Sequence, residues 1–323
     1  MRKIKVAFIF KTSNPFMSGK HFDNSWYNFH VNALKRNNDI EISYFHGEEE
    51  FDTTVLRDNF DIILLWSNCT FGMPKELIGI QELDIPVISG VSDPVDAKDS
   101  IRLHKKWKID YYYHFTHEDF FYELYPRDFK YRKIVMGVET SIYKNVRSFN
   151  DRIKNKILLT GAIGNKKILS RVLNDIKRPK WNAYRFYYLR TKCSDLSYVD
   201  YTSTLQHEYV NDRYPKLLEK YAASIAATTY TPNMKYWENA AAGCLTFMEV
   251  TEKNRGEHLG YKDGETAIFI DKDNFEERFN RFLKEPDNPK WEKIAREGRK
   301  FTLENLSNDN AATKLVELMK ELI

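Results

Sequence analysis

Two glycines and a group of cationic side chains lie together in the segment TGAIGNKK at 160–167. Gly161 and Gly164 let the backbone come close to a ligand, because glycine carries no Cβ. Three cationic residues follow over the first helical turns: Lys166, Lys167 and Arg171. This combination suits a polyphosphate. The segment is neither a Walker loop nor a dinucleotide fingerprint, so a plain strand-to-helix turn with solvated lysines remains the alternative.

A single carboxylate, Glu238, stands in the segment KYWENAAAGCLTFME at 235–249. Pro232 and Asn233 precede it and predict the start of a short helix. The small residues at 240–243 let that helix pack closely against a sheet. Near a helix start, a carboxylate can cap backbone N–H groups. It can also accept hydrogen bonds from a pair of ligand hydroxyls, as on a ribose, and the residues alone leave both interpretations open.

Asp93 lies just past an apolar run, in the segment SGVSDPVDAKDS at 89–100. Ligands of open parallel sheets bind beyond the carboxyl ends of the strands. We therefore expect Asp93 to face the cleft between two doubly wound domains and to contact substrate there. The alternative is a structural role, since an Asp before a proline such as Pro94 commonly starts a turn.

Two short basic segments have aromatic neighbours, HKKWK at 104–108 and KYRK at 130–133. Such clusters could meet anionic lipid or nucleic-acid phosphate, and a solvated surface is the alternative. His104, His114 and His117 show no metal-ligand spacing on one helical face, so we treat them as ordinary surface or core residues.

The composition is that of a folded, globular chain. Its 323 residues suit two domains of about 150 residues each. Hydrophobic residues make up 42% and charged residues 30%, which excludes a disordered chain. The net charge of +4 is the small difference between 50 basic and 46 acidic side chains, so it favours neither nucleic acid nor membrane as a partner.

Cysteine usage and the first residues predict a cytoplasmic protein. Cys69, Cys193 and Cys244 are far apart and odd in number, which is typical of reduced thiols. No Cys and His spacing suggests zinc. The run MRKIKVAFIF is too short for the apolar core of a signal peptide or for a membrane span, and we interpret it as the first strand.

Apolar runs alternate with amphipathic stretches, which predicts parallel sheets covered on both faces. Five runs occupy the first half: KVAFIF at 5–10, IEISYFH at 40–46, DIILLW at 61–66, IPVISG at 85–90 and IDYYYHF at 109–115. The second half restarts with KILLTGAIGNKKILSRVLNDI at 156–176 and continues through RFYYLR at 185–190, a helix at 213–223, and strands at 224–230, 244–249 and 267–270. The predicted fold is therefore α/β, with two Rossmann-like doubly wound domains.

The charged stretch at 144–154 has no apolar periodicity and predicts a linker. We accordingly place an acceptor-side domain at 1–147 and a nucleotide-binding domain at 148–305. The last segment, 306–323, is predicted to be a helix, and packing of that helix back on the first domain is an option.

The order of these features resembles the GT-B glycosyltransferases, two Rossmann-like domains facing a central cleft. It is similar to retaining family 4 and to the branch of spore-maturation-type enzymes. Five segments carry the likeness: MGVETSIYKN at 136–145, ILLTGAIGNKKILSR at 157–171, YWENAAAGCLTFME at 236–249, HLGYKDGETAIFID at 258–271 and WEKIAREGRKFTLENLS at 291–307. Glu139 stands where the family usually has Asp.

The resemblance implies that the second domain binds a nucleotide-diphosphate sugar, with UDP or GDP as the nucleotide. Glu238 would hold the ribose, and Lys167 would neutralise the diphosphate with help from Arg171. The implied donor-binding residues are Gly161, Gly164, Lys166, Lys167, Arg171, Tyr230, Lys235, Glu238 and Asn239, and the implied catalytic residues are Asp93, Lys167 and Glu238. Asp263, Gly264 and Glu265 would shape the rim of the site.

The resemblance further implies that the first domain holds the acceptor, a glycan, a lipid-linked sugar or a protein. The loops near Ser18 and Gly19, Asp93 and His117 would contact it. No metal and no cofactor are required, and we predict a retaining enzyme. An inverting enzyme would need a general base, for which Asp93 is the candidate.

Two residues depart from the family pattern. The family 4 signature has two glutamates eight positions apart, and the residue eight before Glu238 is Tyr230. The arginine that often follows the phosphate-loop glycine is Ala162 here. Two other functions therefore stay open: a nucleic-acid base glycosyltransferase, with nucleic acid the less favoured partner, and a non-catalytic nucleotide-sugar-binding module. Peripheral association with the inner face of the membrane also stays open.

Overall fold

The computed structural model describes residues 2–17, 25–177, 182–202 and 214–323, without the side chains of Val95 and Lys177. The chain divides into two compact units. The first combines Met1–Met136 with Asn308–Ile323, and the second is Gly137–Ser307. The stretch at 144–154, predicted as a linker, lies within the second unit.

The first unit is built on a six-stranded parallel sheet in the order β2-β1-β4-β6-β7-β8. Its central strands β4 and β6 are mostly apolar and fully buried, as a sheet covered on both faces requires. The strands of the unit are β1 Ile4–Lys11, β2 Ile40–Gly47, β3 Glu50–Asp52, β4 Ile62–Leu65, β5 Glu76–Ile78, β6 Val87–Gly90, β7 Tyr111–His114 and β8 Tyr131–Lys133. Strands β3 and β5 form a separate two-stranded sheet.

Helices and tight turns connect these strands. The α-helices are α1 Ser25–Tyr27, α2 Leu34–Arg36, α3 Ala97–Lys106 and α4 Glu118–Leu124, with a π-helical turn at Asn28–Ala33 between α1 and α2. Three 3₁₀ turns lie at Thr53–Leu56, Ile80–Glu82 and Pro94–Asp96.

The second unit is built on a five-stranded parallel sheet in the order β10-β9-β11-β12-β13. Its strands are β9 Ile157–Thr160, β10 Val199–Thr202, β11 Ala223–Ala226, β12 Leu245–Glu249 and β13 Ile268–Ile270. In chain order this is the 2-1-3-4-5 arrangement of doubly wound folds. The direction of winding reverses between β9 and β11, so a crevice is expected where their carboxyl ends meet.

The helices of the second unit are α5 Ile168–Lys177, α6 Ala183–Phe186, α7 Tyr188–Cys193, α8 Tyr214–Leu218, α9 Lys235–Ala241, α10 Phe275–Lys284 and α11 Pro289–Asn305. Further 3₁₀ turns lie at Thr140–Tyr143, Phe149–Asp151 and Gly256–Leu259. The apolar run RFYYLR is helical, forming the end of α6 and the start of α7.

The last helix, α12 Asn308–Leu322, belongs to the first unit although it follows α11 in the chain. It packs against the π-helical turn and α2. Three ion pairs join it to the rest of the unit: Arg36–Asp309 at 2.8 Å, Asp39–Lys320 at 2.7 Å and Arg132–Glu321 at 2.7 Å.

The predicted α/β class with two doubly wound parallel sheets is confirmed. The apolar runs at 5–10, 40–46, 61–66, 85–90 and 109–115 overlap β1, β2, β4, β6 and β7. Among the residues described, no helix is both long and apolar enough to cross a bilayer.

Candidate functional site

The reversal point of the second sheet is occupied by the guanidinium of Arg190. Its Nη1 donates a hydrogen bond of 2.9 Å to the carbonyl oxygen of Ala162, beyond β9. Its Nε donates one of 3.1 Å to the carbonyl oxygen of Ala227, beyond β11. One side chain therefore bridges the two loops between which doubly wound sheets bind ligands.

Arg190 is only 2% exposed, and burial lowers the pKa of its guanidinium. Its Nη2 has no hydrogen-bond partner among the described residues. Such a buried donor is costly to leave unpaired. An anionic ligand at this crevice would supply the missing acceptor.

Lys235, the first residue of α9, lies over Gly161. A Cβ built on Gly161 would fall 2.5 Å from Cε and 3.3 Å from Nζ of Lys235, and 3.1 Å from Nη1 of Arg190. The backbone of Gly161 has a φ of 101°, which favours glycine. The missing side chain thus makes room for two cationic groups directly above the loop.

The ammonium of Lys235 is held by the first turn of α8. Its Nζ donates a 3.3 Å hydrogen bond to the hydroxyl of Tyr214, which also contacts the hydroxyl of Thr160 at 2.8 Å. Burial lowers the pKa of Lys235 to about 8, and the charge of Glu238 partly opposes that shift. The lysine is therefore mostly cationic at neutral pH, and an anionic ligand would stabilise that state.

The start of α9 has a cap from a neighbouring residue. The N-cap residue of α9 is Met234, and the Lys235 N–H donates to Oδ1 of Asn233 at 3.2 Å. Glu238 is 9% exposed and lies close enough to act electrostatically on Lys235 and Tyr214.

Asn239 is buried, and its Nδ2 donates to the carbonyl oxygen of Ile225 in β11 at 3.3 Å. Its Oδ1 has no partner among the described residues. The residue ties α9 to the sheet, and so helps to fix Glu238 beside the crevice.

A second buried carboxylate, Glu249, ends β12. Burial raises its pKa to about 7, while the charge of Arg190 acts in the opposite direction. Its Oε2 has no hydrogen-bond partner in the described part of the chain. Asn254 fixes the surrounding loops, since its Nδ2 donates to the carbonyl oxygens of Glu249 at 2.6 Å and Thr228 at 2.9 Å.

The cationic residues predicted from the sequence lie on the exposed side of the same loop. Lys166 pairs with Asp195. Lys167 is exposed, and its backbone N–H donates to Oδ1 of Asn165. Arg171 donates to the carbonyl oxygens of Asn165 and Lys166. The cations beside Gly161 itself are the buried Arg190 and the half-buried Lys235.

Gly164 allows a close approach of a different kind. A Cβ there would lie 2.4 Å from the Cα of Tyr184, and its N–H donates to the hydroxyl of Thr191 at 2.8 Å. This glycine therefore packs the loop against α6 and α7.

Tyr230, which replaces the first glutamate of the family signature, has an aromatic and cationic environment. Its ring stacks on Phe186 with centroids 5.7 Å apart, and Nζ of Lys253 lies 3.9 Å from its centroid. It is half-buried in the loop that follows β11.

In the first unit, Asp93 follows β6 and has an exposed side chain. Desolvation raises the pKa of its carboxyl, and the nearby Asp96 carboxylate adds to that effect. His117 caps α4, since its Nδ1 accepts from the N–H of Asp119 at 3.2 Å. Ser18 and Gly19 lie outside the described residues.

The basic segments and the rim residues are largely engaged within their own units. In 104–108, Lys106 pairs with Glu76, and in 130–133 Arg132 pairs with Glu321. Asp263 accepts from the N–H of Phe269 and pairs with Arg278 at 3.2 Å. Gly264 has a φ of 72° and Glu265 lies 3.6 Å from Lys262. These contacts give Asp263, Gly264 and Glu265 a structural explanation.

Sequence reasoning named Lys235 but missed Arg190. A signal was present in RFYYLR, because an arginine that ends an apolar aromatic run is buried only where it is paired, and such pairing marks a polar site. Among the described residues, no group of three or more His, Cys, Asp or Glu side chains is arranged to hold a metal ion.

The two doubly wound parallel sheets give the chain a fold of the GT-B type. Residues 174–317 match the family model described as glycosyl transferase-like. No curated protein is detectably similar in sequence.

Several solved structures are similar over nearly the whole chain. HepE of Anabaena, in complex with UDP and glucose, has a TM-score of 0.60 at 10% identity and covers 98% of this chain and 99% of its own. An α-glucosyltransferase in complex with UDP-glucose and DNA containing an abasic site has a TM-score of 0.61 at 8% identity, covering 98% and 99%. A glycosyltransferase from Rickettsia africae ESF-5 has a TM-score of 0.53 at 10% identity, covering 100% and 99%.

Proposed function

We propose that this protein is a glycosyltransferase whose donor is a UDP-sugar bound by the second unit. The observation that carries the proposal is the pair of cations, Arg190 and Lys235, held over Gly161 at the point where the second sheet reverses. HepE and the α-glucosyltransferase, which share the fold, were solved with UDP and UDP-glucose.

The two cations would bind the diphosphate. Arg190 has an unpaired Nη2, and Lys235 has further donor capacity beyond its bond to Tyr214. As the sugar departs, negative charge grows on the diphosphate, and cations fixed in a buried site stabilise it without reorganising. The bonds from Arg190 to Ala162 and Ala227 supply that fixation.

Glu238 would accept hydrogen bonds from the two ribose hydroxyls, as the resemblance implies. Its place is consistent with that role, because it lies on α9 one helical turn from Lys235 while Asn233 supplies the cap. In this arrangement, residues of the same helix, α9, would bind both the ribose and the diphosphate.

The proposal also covers the acceptor, the stereochemical outcome of transfer and the metal requirement. We retain a glycan, glycolipid or glycoprotein acceptor and a retaining outcome, with Asp93 as the base candidate should transfer invert. Because Arg190 and Lys235 provide the charge stabilisation, we expect transfer to proceed in the presence of EDTA. A loss of activity that Mg²⁺ or Mn²⁺ restores would contradict the metal-independent form.

The donor assignment is tested by calorimetry with UDP and 2′,3′-dideoxy-UDP. Lys235→Met should weaken both nucleotides by about tenfold or more, because a charge-assisted hydrogen bond contributes about 1.5–3 kcal/mol. Glu238→Gln should weaken UDP by about tenfold and leave dideoxy-UDP nearly unchanged, because the hydroxyls it serves are then absent. Lys167→Gln is the matched control and should have little effect.

Two results would contradict this assignment. The first is wild-type protein that shows no calorimetric or thermal response to any nucleotide diphosphate. The second is a Lys167→Gln variant as impaired as Lys235→Met, which would return the diphosphate to the exposed lysines. Hydrolysis of radiolabelled UDP-glucose, abolished by Glu238→Gln with folding intact, would separate an enzyme from a binding module.

A further inference from the structure

The helix α5, Ile168–Lys177, turns its apolar side chains outward. Five large ones are exposed: Ile168 at 73%, Leu169 at 79%, Val172 at 50%, Leu173 at 55% and Ile176 at 72%. Their spacing places them on one stripe of the helix. These five make up half of the ten large apolar residues that are exposed in the described part of the chain. Such a concentration marks an interaction surface.

Polar contacts on the opposite face fix this orientation. Arg171 donates to the carbonyl oxygen of Asn165 at 3.0 Å and stacks its guanidinium 3.5 Å from the ring centroid of Tyr184. Asp175 pairs with Arg185 at 3.1 Å. The amphipathic helix therefore has the opposite of the usual orientation. Its polar face contacts the protein, and its apolar face points to solvent. Rotation to bury the stripe would break these contacts.

The charges around the stripe favour an anionic partner. Lys166 and Lys167 are exposed at the amino end of α5, and Lys166 pairs with Asp195. The helix has one carboxylate, Asp175, and that group is bonded on the inward face. The outward surface thus combines apolar side chains with flanking lysines, the composition of helices that lie in a membrane interface.

A bilayer interface suits a stripe of this size, because binding grows with each apolar group buried at the headgroup boundary. A second copy of the chain is the alternative occupant, and the vesicle and dimer measurements below distinguish the two. The ten residues form a helix about 15 Å long, far short of a span.

We propose that α5 docks this protein on a membrane carrying anionic phospholipid, with the stripe in the interfacial region and Lys166 and Lys167 at the headgroups. The loop at 160–167 immediately precedes α5, so docking would bring it close to the lipid surface. This inference concerns lipid binding alone and does not depend on the proposed transfer reaction.

Sedimentation of the full chain with vesicles tests the proposal. One set of vesicles contains phosphatidylcholine and phosphatidylglycerol, and the other contains phosphatidylcholine alone. The paired change Leu169→Gln with Ile176→Gln should lower partitioning by at least about tenfold, because it removes two large apolar groups from the stripe. The control pair, Val55→Gln with Phe71→Gln, changes residues of similar exposure, 57% and 60%, in the first unit and should bind like wild type.

Charge is tested separately with Lys167→Gln, which should reduce binding to the anionic vesicles about fivefold and leave binding to the neutral ones unchanged. Thermal melting of every variant should stay near that of wild type, since exposed residues are changed. Three outcomes would overturn the proposal: no vesicle binding by wild type, equal loss in the control pair, or a wild-type dimer in solution that the α5 pair converts to monomer.

Discussion

Lys235 is the residue through which pH should act on donor binding. Burial lowers its pKa to about 8, so the free protein loses this cation as pH rises above that value. A bound diphosphate favours the charged form, and binding above pH 8 must then take up a proton. The affinity for UDP should therefore fall up to about tenfold per pH unit above 8.

The matched variant for this prediction is Lys235→Arg, whose guanidinium stays charged throughout. Calorimetry from pH 7 to 9.5 should show a declining affinity in wild type and a flat one in the variant. Parallel curves would mean that another group controls the pH response.

Glu249 should make the protein less stable as pH rises. Its pKa is raised by burial from 4.5 to about 7, so its favourable contribution is full below pH 4.5 and is lost as pH rises through 7. Glu249→Gln removes the titrating group and keeps the shape. The variant should be more stable than wild type at pH 8 by about 2–3 kcal/mol, with little difference near pH 4.5.

Urea unfolding at pH 5 and pH 8 measures this gap. A difference between wild type and variant that is the same at both values would contradict the assignment of a neutral carboxyl to Glu249 in the folded protein at low pH.

Single residues also mark where sequence reasoning reached its limit. Glu238 and Lys235 were predicted because they stand in one contiguous segment. Arg190 comes from a different segment, and its bonds to Ala162 and Ala227 depend on three loops meeting at one sheet edge. Local patterns do not contain that information. The resemblance implied Lys167 and Arg171 for the diphosphate, and the structure adds Arg190 beside Gly161 as a further candidate.

At the scale of elements, Gly161 in the loop after β9 leaves room for the side chains of Arg190 from α7 and Lys235 from α9. Gly161→Ala would place a Cβ 2.5 Å from Cε of Lys235, so the lysine must move. The φ of 101° at position 161 adds backbone strain of about 1–2 kcal/mol once an alanine stands there. We expect a modest loss of stability together with a loss of UDP affinity of at least about tenfold.

Gly264→Ala separates the two effects. Gly264 also has a positive φ, 72°, but a Cβ there meets no atom within 4 Å. It should lose similar stability while keeping UDP affinity, as thermal melting and calorimetry can show. Equal affinity loss in both variants would mean that backbone strain alone, and not displacement of Lys235, disturbs the site.

Elements were predictable where their periodicity was clear. The central strands of both sheets were predicted from continuous apolar runs, because a strand covered on both faces is mostly apolar. The strands β8 and β10 were not predicted. RFYYLR has the same apolar character, yet it forms parts of α6 and α7. A short apolar run cannot by itself distinguish a strand from a buried helix.

At the scale of the whole molecule, the first unit is completed by the end of the chain. Leu315, Val316, Leu318 and Met319 of α12 are almost fully buried. The surfaces they meet include the π-helical turn at Asn28–Ala33 and α2. About 170 residues of the second unit separate α12 from the rest of the first. Folding of the first unit therefore requires α12, which follows the second unit in the chain.

Leu315→Ala tests whether this dependence is confined to one unit. It creates a cavity in the first unit and should lower the free energy of unfolding of that unit by about 2–5 kcal/mol. Hydrogen exchange should then lose protection in β1, β2 and the segment 25–36, while β9, β11 and β12 keep theirs, because the second unit has its own core. The control variant Lys314→Ala changes an exposed residue on the same helix and should leave protection unchanged in both units. Equal loss of protection in both sheets would show instead that the two units unfold as one cooperative structure, and that the last helix stabilises the donor site as well as the unit it completes.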